Sequence, residues 1–193
     1  MQNIANALHS DGYIVLDCPI ADIAQDLHSH LENIDTGQFK SAGIGREQKF
    51  QHNPFVRSDE ILWIDECEPE LTPYMDWMNT LRQQINQNLF LGLFDYECHF
   101  AHYSPGSFYK KHIDAFKGSS NRVVTTILYL NPHWQPGDGG ELLLYTPDSG
   151  TLLKTISPRF GKLVVFLSEL FPHEVLPANK DRYSIAGWFR IRE

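Results

Sequence analysis

The chain has 193 residues, of which 42% are hydrophobic and 21% are charged, and its formal net charge is −8. This length fits one domain with a sizeable core, and the composition is that of an ordinary globular protein rather than of a disordered or membrane-spanning chain. The negative charge argues against a general nucleic-acid binder, which displays a basic face to phosphates.

The N-terminal sequence and the cysteines predict the cellular compartment of the protein. The first residues, MQNIANALHSDGYIVLD, lack the basic segment and the long apolar segment of a signal peptide. Cys18, Cys67 and Cys98 are odd in number, widely separated and in no CxxC pair, which is typical of reduced intracellular thiols. We therefore expect a cytoplasmic protein with no membrane partner.

The N-terminal half alternates helical and extended patterns. In chain order these are a helix over 2–9, a strand over 13–16, a helix over 20–34, an irregular Gly-rich stretch over 36–60, a strand over 61–65 and a helix over 69–90. Compact domains usually keep a stretch such as 36–60 for a lid or a binding loop. The aromatic residues of the last helix recur at helical spacing, which favours a core face over a cofactor site.

From residue 95 the sequence changes to short apolar runs punctuated by Gly and Pro. These predict eight strands, over 96–103, 108–114, 123–131, 140–146, 152–156, 162–168, 173–177 and 182–191. Runs of this length are typical of a β-sandwich or barrel. We expect a mainly β protein with flanking helices (α+β), in which N-terminal helices (1–94) support a jelly-roll-like barrel (95–193) within one domain, 1–193.

A His-x-Asp pair lies in HYSPGSFYKKHIDAF, residues 102–116. On a strand His112 and Asp114 would point to the same face and could bind one metal ion together, although an isolated pair of this kind is more often a polar strand end facing water. His173, directly after an apolar run, is the candidate third ligand. Two histidines and one carboxylate form the facial triad of non-haem iron oxygenases.

Other histidines compete for this role. His99 and His102 are three apart on one predicted strand, so they face opposite sides and cannot both be ligands. The remaining candidates are expected on surface helices or loops: His9, His28, His30, His52 and His133.

An arginine follows nine residues after His173. In RYSIAGW, Arg182 shares one strand face with Ser184 and Trp188. An arginine aimed into a barrel is costly unless it meets an anion, and a dicarboxylate co-substrate would supply one, with Ser184 adding a hydrogen bond. The alternative is a surface arginine whose apolar stem lies along the protein.

These motifs resemble a known family. HID at 112–114, PHEV at 172–175 and RYS at 182–184, with YLN and GGEL between them, are similar to the iron(II)/2-oxoglutarate-dependent dioxygenases. The likeness is greatest to the prolyl 4-hydroxylase branch that contains the hydroxylases of hypoxia-inducible factor and their bacterial relatives. It covers residues 95–193 and extends more loosely to 56–65. It implies a double-stranded β-helix and hydroxylation of a prolyl residue at C4 in a protein, with release of succinate and CO2.

The resemblance also implies roles by position. His112, Asp114 and His173 would be the iron ligands, and the presence of Asp114 favours hydroxylation over halogenation. The residues implied to bind 2-oxoglutarate are Arg182, Tyr129, Tyr103, Leu142, Ser184 and Trp188, with Leu142 and Trp188 as apolar walls. Those implied to lie near the substrate are Arg57, Asp59 and Arg122, for which a solvated loop face would give the same residue types.

The implied cofactor is Fe(II), with 2-oxoglutarate and O2 as co-substrates and ascorbate as the candidate accessory reductant. The implied partner is a protein or peptide with a target proline, for which a translation factor fits the bacterial relatives. Three alternatives stay open: a hydroxylase of a free amino acid or other small molecule, a cupin-like isomerase or metal sensor, and a non-catalytic barrel that binds peptides. Cupins usually carry His-x-His and a nearby Glu, which HIDAFKGSS lacks.

Overall fold

The computed structural model describes residues 1–43, 53–65, 68–115 and 121–192. The helices are α1 (Gln2–Ser10), α2 (Ala21–Glu32) and α3 (Thr72–Leu89), the last preceded by a 3-10 turn at Pro69–Leu71. The strands are β1 (Tyr13–Leu16), β2 (Lys40–Ser41), β3 (Glu60–Trp63), β4 (Asp95–Tyr103), β5 (Tyr109–His112), β6 (Arg122–Tyr129), β7 (Leu142–Tyr145), β8 (Leu152–Ile156), β9 (Leu163–Leu167), β10 (His173–Val175) and β11 (Arg182–Arg190).

The strands form two antiparallel sheets. The larger sheet has seven strands in the order β1-β9-β6-β11-β4-β3-β2, and the smaller has four in the order β5-β10-β7-β8. Their inner faces share a buried cluster that includes Tyr129 and Phe166 of the larger sheet and Leu144 and Val175 of the smaller one. The jelly-roll expectation is confirmed, but over the described residues the two sheets face each other without closing into a barrel.

The helices cover the outer face of the larger sheet, as expected. Ile4 of α1, Leu27 of α2 and Leu81 of α3 belong to one buried cluster with Phe100 and Phe189 of the sheet. The aromatic stripe of α3 is part of this core, which confirms that interpretation. No helix among the described residues is long and apolar enough to cross a membrane.

The structure corrects the prediction over 108–114 and over 36–60. The strand expected over 108–114 ends at His112, so Asp114 lies in a bend beyond it. The stretch 36–60, expected to be irregular, contains a 3-10 turn at Thr36–Gln38 and the short strand β2. Residues 44–52 of that stretch, including His52, lie outside the described residues, as does Cys67, whereas Cys18 is exposed and Cys98 is buried.

Candidate active site

The three predicted metal ligands come together between the sheets. His112 at the end of β5 lies opposite His173 at the start of β10. Asp114 Oδ1 is 3.5 Å from His112 Nε2 and 3.6 Å from His173 Nε2. One ligand atom from each residue lies within 4.8 Å of the other two, and this is the one such group found in the described part of the chain. The sequence spacing therefore located a compact donor set.

Each histidine is oriented by the backbone. His112 Nδ1 is 2.8 Å from the carbonyl oxygen of Lys110, and His173 Nδ1 is 3.0 Å from that of Phe171. Because a carbonyl only accepts, each Nδ1 must carry the proton, and each Nε2 keeps its lone pair. Fixing the tautomer in this way is the usual outer-shell arrangement of metal-binding histidines.

The carboxylate is oriented by side chains from the larger sheet. Asp114 Oδ2 accepts hydrogen bonds from Thr125 Oγ1 at 2.8 Å and from Trp188 Nε1 at 3.0 Å. Thr125 Oγ1 is also 2.8 Å from Ser168 Oγ. Asp114 Oδ1 is left facing the histidines, so this carboxylate presents one oxygen. Since Asp114 lies beyond β5, these contacts bring the ligands together, and strand alternation does not.

Electrostatics favour the metal-binding protonation states. Burial raises the pKa of Asp114, but the neighbouring imidazoles and the Trp188 N–H outweigh it, so this pKa lies below its usual range. Burial lowers the pKa of His173 to about 4. A carboxylate that is ionised beside a neutral imidazole is the ligand state that a metal cation requires.

Arg182 forms a second polar centre in the interior. Its side chain is 1% exposed, and its Nε donates to the carbonyl oxygen of Gly140 at 3.0 Å. Its guanidinium carbon is 4.6 Å from the ring centre of Tyr103 and 5.0 Å from that of Tyr129. Its Nη1 reaches Ser184 Oγ at 3.4 Å. Among the described residues, none of these contacts is a carboxylate, so the buried charge calls for an anion that these residues do not supply.

The Tyr129 hydroxyl supports the same conclusion. It is buried and has no hydrogen-bond partner among the described residues. Burial raises the pKa of Tyr129, although the nearby Arg182 charge opposes this shift, so the hydroxyl keeps its proton. A buried donor without a partner is costly. A carboxylate bound to Arg182 would accept its hydrogen bond, which fits the predicted role.

Leu142 and Trp188 occupy different parts of the interior. Leu142 is fully buried in the cluster that contains Tyr103 and Tyr129. Trp188, expected as an apolar wall, also donates its N–H to Asp114, so it acts on a metal ligand.

The three predicted substrate residues are all paired within the chain. Arg57 forms a two-point ion pair with Asp59, at 2.7 and 2.5 Å. Arg122 Nε donates to Glu97 Oε1 at 2.8 Å, and its guanidinium carbon is 3.6 Å from the Trp188 ring centre. Arg122 thus borders the metal site through Trp188, whereas Asp59 is 1% exposed and has no free face toward a ligand.

Comparisons with known proteins agree with this geometry. Residues 98–190 match the family model of the 2OG-Fe(II) oxygenase superfamily. A Pseudomonas putida prolyl-4-hydroxylase, known from a crystal structure, is 39% identical in sequence and superimposes with a TM-score of 0.89. The match covers 100% of this chain and 99% of that one. This chain belongs to the 2OG-Fe(II) oxygenase superfamily.

Two further relatives of this oxygenase come from animals. A Trichoplax adhaerens prolyl hydroxylase, solved in complex with a peptide fragment of the oxygen degradation domain of hypoxia inducible factor, is 28% identical. It covers 98% of this chain and 88% of its own, with a TM-score of 0.85. Human Egl nine homolog 1 is 32% identical over 179 residues, which are 88% of this chain and 40% of that protein. The oxygenase thus spans about two fifths of the length of this curated relative.

The residues of the oxygenase fit the groups that its family uses, which are Fe(II), 2-oxoglutarate and O2. Two imidazole nitrogens and one carboxylate oxygen are the donor set of a non-haem ferrous site. Arg182 and the unpartnered Tyr129 hydroxyl suit one carboxylate of 2-oxoglutarate.

Three residues of the oxygenase site escaped sequence reasoning. Thr125 orients Asp114, and Tyr109 stacks on His112 with 3.5 Å between ring centres. His99 is 4% exposed and lies between the indoles of Trp63 and Trp188, with 4.9 and 5.3 Å between ring centres. The opposite facing of His99 and His102 could be predicted, but nothing in the sequence signalled which of them points inward.

Proposed function

We propose that this chain is a prolyl hydroxylase that uses Fe(II), 2-oxoglutarate and O2 to hydroxylate C4 of a proline in a protein substrate. The observation that carries the proposal is the pairing of a His-Asp-His donor set with a buried arginine that contacts no carboxylate among the described residues. The similarity to a bacterial prolyl-4-hydroxylase over the full length of both chains supports this substrate class.

Fe(II) bound by His112, Asp114 and His173 would supply the O2-dependent oxidation of 2-oxoglutarate and of the substrate C–H bond. The chain's own residues would bind and orient the reactants. Arg182 would bind one carboxylate of 2-oxoglutarate, with hydrogen bonds from Ser184 and Tyr129. The buried inner cluster around Tyr103 and Leu142 would exclude water from this end of the co-substrate.

Asp114 supports hydroxylation as the reaction type. It occupies the ligand position that halogenating relatives leave to a halide. Because Thr125 and Trp188 both bind its second oxygen, the carboxylate is fixed as a one-oxygen donor. With this position taken by a carboxylate, no halide would be bound there for transfer to the substrate.

The proposed partner is a protein or peptide rather than a nucleic acid or a membrane, and a translation factor is the specific candidate that the resemblance suggests. The net charge of −8 supports the exclusion of nucleic acid. A cytoplasmic place of action goes with this proposal, in accord with an odd number of cysteines that form no CxxC pair.

The test is turnover by the purified chain with Fe(II), 2-oxoglutarate and O2, with and without a pool of proline-containing peptides, including translation-factor peptides. We expect succinate formation that peptides stimulate, together with a peptide mass gain of one oxygen. NMR of the product then locates the hydroxyl at C4 or C3. Omitting ascorbate tests whether it acts as the accessory reductant.

Variants separate the residue roles. Arg182→Ala should raise the KM for 2-oxoglutarate at least tenfold, because it removes the buried charge that binds its carboxylate. His112→Ala should abolish turnover. Arg159→Ala, which changes an exposed arginine between β8 and β9, is the matched control. Turnover stimulated only by free amino acids would show that the substrate is a small molecule. No turnover with verified iron loading would contradict the proposal that the chain is an enzyme.

A further inference from the structure

Three side chains form a stack that leads from the segment before β3 to a metal ligand. The guanidinium carbon of Arg57 is 4.2 Å from the ring centre of Tyr109. The Tyr109 ring centre is in turn 3.5 Å from that of His112, with the two planes 14° apart. A cation therefore lies on one side of the phenol ring and a metal-binding imidazole stacks against it.

Arg57 is fixed in this position. Its Nε and Nη2 donate to the two carboxylate oxygens of Asp59, and its Nη1 donates to the carbonyl oxygen of Gly43 at 3.2 Å. Burial lowers the pKa of Arg57, but Asp59 outweighs burial and the net shift is upward. The two side chains satisfy each other through two parallel hydrogen bonds, so this guanidinium has one defined plane.

The backbone of the same segment is fastened to β5. Ser58 N donates to Phe108 O at 3.0 Å, and Lys110 N donates to Val56 O at 2.8 Å. Arg57 and Tyr109 form an antiparallel bridge between these two hydrogen bonds. Residues 56–58 thus cover the edge of β5 that does not pair with β10.

A bulge in β5 explains why Tyr109 reaches His112. In the pairing with β10, His173 is opposite His112 and Val175 is opposite Tyr109, so three steps along β5 match two along β10. One extra residue breaks the alternation of the strand, and residues three apart then share a side. The stack is therefore built into the register of the smaller sheet.

His112 needs this support more than His173 does. The His112 side chain is 16% exposed, compared with 5% for His173, whose ring makes an edge-to-face contact with that of Phe166. The hydrogen bond from Nδ1 to Lys110 O fixes one atom of the His112 ring. Rotation about the bond to an imidazole ring is otherwise soft, so a parallel ring at 3.5 Å defines its plane.

We infer that Tyr109, Arg57 and Asp59 are positioning residues for the metal ligand His112, so that metal affinity depends on residues 56–59 being seated on β5. By thermodynamic reciprocity, metal binding must then stabilise this seating to the same extent. The inference goes beyond prolyl hydroxylation, because it concerns metal binding in the absence of 2-oxoglutarate and substrate.

The first test is the dissociation constant of Mn(II), a redox-stable probe, measured by calorimetry on the full metal-free chain. Tyr109→Phe keeps the stacking ring and should stay within about twofold of the unmodified chain, whereas Tyr109→Leu should weaken binding about tenfold. The double variant R57Q/D59N removes the ion pair without leaving a buried charge and should also weaken binding.

Tyr145→Leu is the matched control. Tyr145 lies on β7 of the same sheet and carries a cation over its ring, Lys111 Nζ at 3.4 Å, but the ring does not stack on a ligand. Its Mn(II) affinity should equal that of the unmodified chain. If circular dichroism shows that Tyr109→Leu does not fold, the Mn(II) affinity of R57Q/D59N is compared with that of the unmodified chain instead.

The second test is hydrogen exchange of the Ser58 and Lys110 amides in the unmodified chain. Saturating Mn(II) should slow both, and the slowing should be lost in R57Q/D59N. Equal exchange with and without Mn(II), or equal affinity for all folded variants, would overturn the inference alone. A chain that bound no Mn(II) would overturn it together with the metal site, whereas failure to hydroxylate proline would leave it standing.

Discussion

At the scale of single residues, the site works by leaving one chosen atom of each side chain free. Asp114 gives Oδ2 to Trp188 and Thr125 and keeps Oδ1, and His173 gives Nδ1 to a carbonyl and keeps Nε2. Arg182 Nε donates to Gly140 O, and the guanidinium group lies against the Tyr129 ring. The fold thus fixes which atoms are available before any ligand arrives.

His99 is a buried histidine outside the donor set, and its Nδ1 has no hydrogen-bond partner in the described part of the chain. Burial, helped by the positive charges of Arg57 and Arg122, lowers its pKa from 6.5 to about 3. Above pH 6.5 both folded and unfolded states hold it neutral. Between pH 6.5 and 3 only the unfolded state binds the proton, so the free energy of unfolding falls as the pH falls.

We therefore expect His99→Met to make the metal-free chain less sensitive to acid. Between pH 6.5 and 5 the unmodified chain should lose about 2 kcal/mol more stability than the variant, because only its unfolded state takes up this proton over the range. Urea unfolding across this range measures the difference. The exposed His9→Gln is the control and should keep the original slope. Equal slopes for His99→Met and the unmodified chain would contradict the buried, neutral state of His99.

At the scale of elements, a chain of buried hydroxyls joins α3 to the larger sheet. Tyr96 Oη is 2.9 Å from Tyr74 Oη and 2.7 Å from Thr126 Oγ1. Gly187 on the neighbouring strand β11 makes room for it, since a Cβ there would lie 2.2 Å from Tyr96 Oη and 2.8 Å from Cys98 Cβ. The helix therefore packs on the sheet through a polar contact that only a glycine allows.

Gly187→Ala should destabilise the chain by about 3 kcal/mol, the upper end of the usual cost of overpacking, because backbone and ring atoms must move. Tyr96→Phe removes the nearest atom, so the double variant should be less destabilised than the sum of the two single changes. Urea unfolding of the four proteins measures this coupling. Gly37→Ala, whose Cβ would meet only the Asp35 side chain at 3.5 Å, is the matched control. Simple additivity would show that the contact does not limit packing.

The pairing of the strands explains which parts of the site could be predicted from the sequence. The grouping of His112 with His173 follows from the order of strands, and the pairing of β5 with β10 realises it. The orientation of Asp114 could not be predicted, because its partner Trp188 is 74 residues away and reaches it only through the sheet. Tyr109 was missed because a regular strand would turn it away from His112, and a bulge has no clear signal in a single sequence.

At the scale of the whole molecule, the two halves of the chain are interleaved. The N-terminal half supplies β1, which pairs with β9, and β3, which pairs with β4, so it contributes strands to both sides of the larger sheet. Its three helices also cover the outer face of that sheet. The sequence pattern changes from helices to short strands near residue 94, but the parts on either side of this point share one core.

We accordingly expect residues 95–193 alone not to fold, because two strand pairings are lost and the outer face that carries Phe100 and Phe189 is uncovered. The full chain should unfold in one transition, with coincident curves by circular dichroism and tryptophan fluorescence. Mn(II) should raise its midpoint, because the metal binds only the folded state. Mixing 1–94 with 95–193 is the control and should restore Mn(II) binding. Cooperative unfolding of the isolated 95–193 fragment would show instead that the jelly roll is stable without its helices.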